Sequence, residues 1–236
     1  MSRVRSLLYW CARQAGLSVS TLDHTLGGRR NAQLKRLAIT TILDVGANSG
    51  QYARELRQGG FRGRIISFEP VTSAFNRLAS SAASDPTHLC HHLALSNIDG
   101  STAINVSRDL VCSSILRPSD LCVEAHPSSV TVSEETVTVR QLDSIIGTLL
   151  VQDDRLYLKI DTQGSELEVL RGGLTTLATV LACEVEVSLR PVYVNQPLLP
   201  DIFAFLNERG FHAVWAERGL LDQSGDMLQL DVLFTR

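Results

Sequence analysis

The sequence predicts a doubly wound α/β domain built on a seven-stranded, mostly parallel sheet whose last strand runs antiparallel. Three observations predict it. From Thr40 onward, short apolar runs alternate with helical patterns, as parallel strands joined by crossover helices do. The early runs, around Ile42–Val45 and Ile65–Phe68, are nearly continuous in apolar residues, as strands buried on both faces should be. The polar stretch Glu217 to Asp226 before the final strand is too short for a helical crossover, so the last two strands pair antiparallel.

The elements follow in order. Strands are expected near 41–45, 64–68, 88–94, 155–160, 180–187, 211–217 and 227–235, and helices near 50–58, 71–83, 141–148, 165–172 and 198–209. Residues 101–140 interrupt the alternation with two extra strands, 101–106 and 135–140, around a polar segment containing Pro118 and Pro127. A loop this long inside a compact domain is usually functional, and it is read here as a lid or insertion. Residues 1–39 form a helical appendage to the main domain, 40–236. In the appendage Val4, Leu7, Leu8, Cys11 and Ala15 share one helical stripe, Gly16 and Gly27-Gly28 punctuate, and Asn31 to Ala38 is helical again.

A hydrophobic content of 44% with 20% charged residues fits a water-soluble globular chain rather than a fibrous or disordered one. No apolar run approaches the roughly 20 residues of a membrane span, and Trp10-Cys-Ala-Arg13 breaks the N-terminal apolar stretch, so a cytoplasmic protein is expected. Five cysteines without a C-x-x-C pair argue against a disulfide framework and a structural zinc. Residues 1–40 carry a net charge of +6, leaving -9 on the remainder. An acidic body repels a phosphate backbone, so no nucleic-acid partner is expected. The basic arm suits a solvated surface, an anionic partner or peripheral membrane association, and the apolar stripe suits a homodimer contact.

The densest chemistry lies at the first strand. Asp44-Val-Gly46-Ala-Asn48-Ser-Gly50-Gln-Tyr52 reads as strand, glycine-bearing turn and helix start. The next strand closes on Glu69-Pro70, where an acid takes the two hydroxyls of an adenosine ribose. The turn is neither G-x-G-x-x-G nor followed by G-K-[ST], so the usual pyrophosphate and triphosphate cradles are missing. An adenosine cofactor without a diphosphate points to S-adenosylmethionine (SAM), and NAD is disfavoured. Asp44 either faces the cofactor's amino group or caps the following helix.

D-V-G-A-N-S-G-Q-Y followed by F-E-P resembles the start of the FkbM-type methyltransferases. Leu158-Lys-Ile-Asp161-Thr-Gln163-Gly-Ser-Glu166 and Gln229-Leu-Asp-Val-Leu-Phe234 resemble later blocks of the same family, whose members commonly carry Glu where this chain has Gln163. The resemblance covers roughly residues 40 to 236. It implies a class I methyltransferase sheet, SAM as cofactor, and a hydroxyl acceptor on a sugar, glycolipid or polyketide. It places the cofactor on Asp44, Gly46, Asn48, Gly50, Tyr52, Glu69 and Pro70. The adenine goes beside Ala94, Leu95 and Ser96, which otherwise read as ordinary strand residues, and the paired Ser113 and Ser114 are further contacts.

Methyl transfer from a sulfonium needs alignment of the acceptor oxygen and removal of its proton. Asp161 ends the fourth strand, where open α/β sheets bind ligands, and is a candidate base, orienting group or metal ligand. Glu184 and Glu186 share one face of the fifth strand. Buried carboxylates need a partner, so they either join Asp161 in holding Mg²⁺ or pair with Lys159, Arg190 or Arg171. His126, in the lid, is the candidate general base. Tyr193 and Asn195 are acceptor contacts by position, and Glu166 caps the helix it begins. An oxygen-rich carboxylate site favours a sugar hydroxyl as acceptor. A polyketide or other small-molecule hydroxyl is the alternative, and a non-catalytic SAM-binding scaffold is the reading from another class.

Overall fold

The structure is a computed structural model that describes residues 10–16 and 25–236. Val4, Leu7, Leu8, Arg3 and Arg5, on which the membrane and dimer expectations partly rest, lie outside the described residues.

The main sheet consists of β1 (Thr41–Val45), β2 (Arg64–Phe68), β3 (His88–His91), β7 (Leu156–Ile160), β8 (Val180–Ser188), β9 (His212–Arg218) and β10 (Gln229–Thr235). Its spatial order is β3-β2-β1-β7-β8-β10-β9. Strands β3, β2, β1, β7 and β8 run parallel, and β10 pairs antiparallel with both β8 and β9. The expected mostly parallel sheet with an antiparallel end is therefore observed. It is the class I methyltransferase arrangement. The order reverses between β1 and β7, and ligands of open α/β sheets bind in the crevice beyond such a switch point.

Helices cover both faces. Helices α1 (Leu26–Arg36) and α2 (Gln51–Gln58) seal an apolar layer containing Ile42, Ile65, Tyr157, Ala182 and Leu233. The opposite face holds Leu43, Ile66, Leu158, Cys183 and Phe234 beneath α6 (Glu166–Arg171), α7 (Leu174–Leu177) and α8 (Leu199–Asn207). Helix α3 (Thr72–Ala82) buries Ala74 and Leu78.

Four expectations change in detail. Gly27-Gly28 does not break the appendage. Both glycines sit in the first turn of α1, where Thr25 Oγ1 accepts the Gly28 N–H at 3.1 Å. A capped first turn tolerates glycine because its N–H groups lack intrahelical partners anyway. The expected strand 88–94 ends at His91; the chain turns, and β4 (Ala94–Leu95) joins β5 (Gly100–Ser107) and β6 (Thr131–Arg140) in a second sheet of order β4-β6-β5. The expected helix 141–148 is a short helix, α5 (Leu142–Ile145), followed by a 3-10 turn over Ile146–Thr148. The insertion is an antiparallel pair, β5 (Gly100–Ser107) and β6 (Thr131–Arg140), and its polar segment is ordered into a 3-10 turn at Leu110–Cys112, helix α4 (Asp120–Ala125) and a second turn at Pro127–Ser129.

Candidate active site

Strand register stacks the polar residues of the sheet into two rows. Pairing aligns Ser67 with Asp44, Asp44 with Lys159, and Lys159 with Glu184. Because side chains alternate along a strand, the next residues on this face are Glu69, Gly46, Asp161 and Glu186, with Asp231 paired opposite Glu186. The first row is buried within the sheet and the second forms the rim of the crevice.

In the buried row Asp44 accepts from Ser67 Oγ at 3.0 Å and faces Lys159 Nζ at 3.6 Å. Asp44 is fully buried and lines none of the cavities, so it neither reaches an amino group in the crevice nor caps α2, whose N-cap is Gly50. Its part is to hold Lys159. That ammonium also donates to the Gly46 carbonyl at 3.2 Å and lies 3.3 Å from Asp161. Burial opposes its charge, but Asp161, Asp44 and Glu184 outweigh burial and raise its pKa above the usual lysine value.

Glu184 accepts from Arg30 Nη1 at 3.2 Å, Tyr157 OH at 3.0 Å and Tyr52 OH at 3.2 Å. The Arg30 guanidinium stacks 4.5 Å above the Tyr52 ring. The hydroxyl of Tyr52 is thus committed to Glu184, although the residue borders the crevice. Glu186 accepts instead from the amides of Gln163 at 2.9 Å and Gln229 at 2.8 Å. Asp161 accepts from the same Gln163 amide at 2.7 Å. The arrangement does not support the Mg²⁺ site expected at Asp161, Glu184 and Glu186. Glu184 sits one pleat deeper than the other two, and guanidinium, ammonium, phenol and amide donors already occupy the three carboxylates. The ion pair of Glu184 goes to Arg30; Arg171 and Arg190 pair with Glu168 and Asp222.

The rim residues build two neighbouring clefts that share Gly46, Asn48, Val111 and Asp161 in their walls. One lies beyond β2 and β4, lined by Glu69, Pro70, Ala94, Leu95, Ser113, Gly46, Asn48 and Asp161. Both Glu69 oxygens accept backbone N–H groups, from Asn48 and Val71, each at 2.8 Å. Burial pushes the Glu69 carboxyl up to about 7 despite those bonds. Asn48 holds φ +47, and its Oδ1 accepts the Ser49 N–H at 2.7 Å, which fixes the turn. Gly46 has φ +77, and a Cβ there would lie 1.8 Å from the Asp161 carbonyl oxygen. Its glycine requirement therefore comes from the touching ends of β1 and β7. Gly50, at φ +81, packs against Leu78 of α3 and lines neither cleft. Ser96 and Ser114 also stay outside. The Ser96 N–H bonds Arg140, while buried Ser114 donates to the Gln163 carbonyl at 2.7 Å and pins the insertion to the β7–α6 turn.

The second cleft, of about 380 Å³, is lined by Gly46, Asn48, Tyr52, Asp161 and Asp231, and on its outer side by Thr25–Gly27, Arg30, Glu217 and Arg218. Asp231 is pushed up to about 7 by burial and by Asp161 and Glu184. Glu186 is raised well above the usual carboxylate range by burial, Asp161 and Asp231. His126 lies off this cleft, in an adjoining cavity of about 290 Å³ with Asp109, Cys112, Gln163, Glu186 and Tyr193. Val111 borders all three spaces. Tyr193 is buried and donates to Gln163 Oε1 at 2.8 Å. Asn195 lines none of them, and Glu166 accepts the Thr162 and Gly164 N–H groups of the turn between β7 and α6, so it braces that turn; the N-cap of α6 is Ser165.

Sequence reasoning missed Arg30, Asp231 and the bridging part of Gln163. Asp231 carried a usable signal, a carboxylate inside an apolar strand, the same that singled out Glu184 and Glu186. Arg30 carried none, because its partner is 154 residues away.

The family model described as the methyltransferase FkbM domain matches residues 44–213. No curated protein matches the chain. Solved structures with a similar trace include SAM-bound fibrillarin from Aeropyrum pernix (13% identity, 88% of this chain and 74% of that one, TM-score 0.48). Another is SAM-bound magnesium protoporphyrin IX methyltransferase from Synechocystis PCC 6803 (10% identity, 93% and 85%, TM-score 0.46). A third is a putative rRNA methylase from Clostridium thermocellum (7% identity, 93% and 97%, TM-score 0.49). These likenesses are distant, and the assignment rests on the family match over most of the chain. With a class I sheet and an acid-closed second strand beside a glycine turn, the chain belongs to the FkbM methyltransferase domain family and is a SAM-dependent methyltransferase.

Proposed function

We propose that the chain transfers the methyl group of SAM to a hydroxyl of a sugar in an oligosaccharide, polysaccharide or glycolipid. The observation that carries this reading is the pair of neighbouring clefts that share Gly46 and Asp161 in their walls. The cleft under Glu69 suits adenosine: Ala94 and Leu95 offer an apolar wall, and Glu69 has lone pairs left for ribose hydroxyls. The second cleft is rich in carboxylates, with Glu55, Asp161, Glu217 and Asp231 on its walls. Such a surface accepts hydrogen bonds from a polyol and favours the sulfonium cation over its neutral product. Asp161 would orient the acceptor hydroxyl where the clefts meet, and His126, held by Asp109, would activate it from the adjoining cavity. No helix among the described residues is long and apolar enough to cross a membrane. A lipid-linked acceptor would therefore be met at the membrane surface, through the basic N-terminal arm.

The test is calorimetric titration with S-adenosylhomocysteine on wild type and Glu69→Ala. Binding that the substitution abolishes supports the cofactor cleft. Methyl transfer is then screened on deoxysugar and mannoside glycans beside polyketide hydroxyls. Turnover confined to the polyketides would overturn the sugar assignment. No binding to wild type would sink the catalytic reading and favour a scaffold.

A further inference from the structure

The insertion gathers a carboxylate, a thiol and an imidazole beyond what methyl transfer by a free base requires. Asp109 precedes the Leu110–Cys112 turn, Cys112 ends it, and His126 follows α4. Their ligand atoms all lie within 4.8 Å of one another, the one such group among the described residues. Asp109 Oδ2 and His126 Nε2 are 3.1 Å apart. The backbone beneath them is tied down. The Asp109 N–H bonds the Ser128 carbonyl at 2.8 Å, and the Ser129 N–H bonds the His126 carbonyl at 2.8 Å. The Cys112 N–H bonds the Asp109 carbonyl at 3.0 Å. The three ligand-bearing residues therefore sit on hydrogen-bonded backbone that keeps their side chains near one another. The side chains of Asp109 and His126 are 41% and 38% exposed, so the group is open to an entering ion.

We propose that Asp109, Cys112 and His126 bind a zinc ion whose fourth position opens into the adjoining cavity. The donor set selects the metal. A thiolate and an imidazole are poor ligands for Mg²⁺ and Ca²⁺, which prefer oxygen, and they suit borderline-soft Zn²⁺. Three protein ligands with an open position mark catalytic rather than structural zinc. Zinc–ligand bonds of about 2.0–2.3 Å place tetrahedral ligand atoms roughly 3.3–3.8 Å apart, so a contraction of about 1 Å completes the site. The role given to the ion rests on the methyl-transfer reading. An acceptor hydroxyl takes the open position and loses its proton to water. Its oxygen forms the C–O bond as the C–S bond of the sulfonium breaks, leaving a neutral thioether. His126 then serves as a ligand rather than as a free base.

The test strips the full chain with a chelator, reloads it with Zn²⁺ or Co²⁺, and removes excess metal by dialysis. The expected result is one ion per chain, with a thiolate-to-cobalt charge-transfer band in the near ultraviolet. Cys112→Ser and His126→Asn should each weaken zinc binding on the order of 100-fold or more, exceeding the usual loss from a supporting outer-shell partner. Thermal melts verify that the variants are folded, and S-adenosylhomocysteine titration of the same samples reports the cofactor cleft separately. A wild type that retains no zinc, or zinc retained at full stoichiometry by both variants, overturns the metal site whatever the cofactor titration shows.

Discussion

Arg30 of the appendage lies 3.2 Å from Glu184 of strand β8, and both side chains are almost wholly buried. The pair fastens α1 to the strand that carries the crevice acids. Breaking a buried ion pair from one side strands the other charge. Arg30→Ala is expected to lower unfolding stability by about 3–5 kcal/mol, while Arg36→Ala on the same helix changes little. Urea denaturation checks this, and a loss below about 1 kcal/mol, the range of surface pairs, would show that Glu184 does not depend on Arg30.

Gln163 is the second fastening. Its amide donates to Asp161 and Glu186, and its carbonyl oxygen accepts from Tyr193. Gln163→Glu removes the donor and adds a third acid to a group where Glu186 is already held above its usual range. The folded state of the variant binds protons more tightly than the unfolded chain, so its stability falls as pH rises. The expected deficit against wild type is about 1–3 kcal/mol at pH 8 and smaller at pH 5.5. Melts at both pH values measure it, and a deficit that does not grow with pH would contradict this reading of the bridge.

Glu69 links pH to cofactor binding. Burial pushes its carboxyl up to about 7, above the ordinary carboxylate value of 4.5. In the free protein the folded state therefore holds this proton more tightly, and the stability it contributes declines between those two pH values. Ribose hydroxyls donate to the ionised form, so affinity for S-adenosylhomocysteine should rise from pH 6 to pH 8. Glu69→Gln should flatten that rise and weaken binding by about tenfold or more, the loss of hydrogen bonds to a charged group. A pH-independent wild-type affinity would rule out Glu69 as the ribose acid.

Gly46 and Gly147 form a paired test. A Cβ at Gly46 meets the Asp161 carbonyl oxygen at 1.8 Å with φ +77, whereas a Cβ at Gly147 meets nothing within 4 Å. Gly46→Ala should cost more than about 3 kcal/mol, since left-handed strain adds to a backbone clash. Gly147→Ala should stay within about 0.5 kcal/mol. Equal melting temperatures for the two variants would mean that β1 and β7 do not meet as described.

Much of this could be read along the chain, because the signals are local. Apolar runs gave the sheet, the short Glu217–Asp226 link gave its antiparallel end, and Asp44-Val-Gly-Ala-Asn with Glu69 marked the cofactor turn. Strand alternation likewise put Glu184 and Glu186 on one face. What each acid does with that face depends on partners brought in by register and helix packing. Asp44 looked like a crevice acid, yet pairing with Ser67 and Lys159 sets it one pleat below the rim. Glu184 looked like a metal ligand, yet α1 delivers Arg30 to it and α2 delivers Tyr52. Gln163 looked like a neutral departure from its family's Glu, yet β7 and β8 set it between two carboxylates that need its amide. The sequence by itself determined the seven strands of the main sheet and the turn residues Gly46 and Glu69 beside the crevice, since those depend on neighbours along the chain, although the strand expected over 88–94 ends at His91. Only the tertiary structure decided which buried charges neutralise one another, because each charge takes its partner from whichever distant element the fold packs within about 3 Å of it.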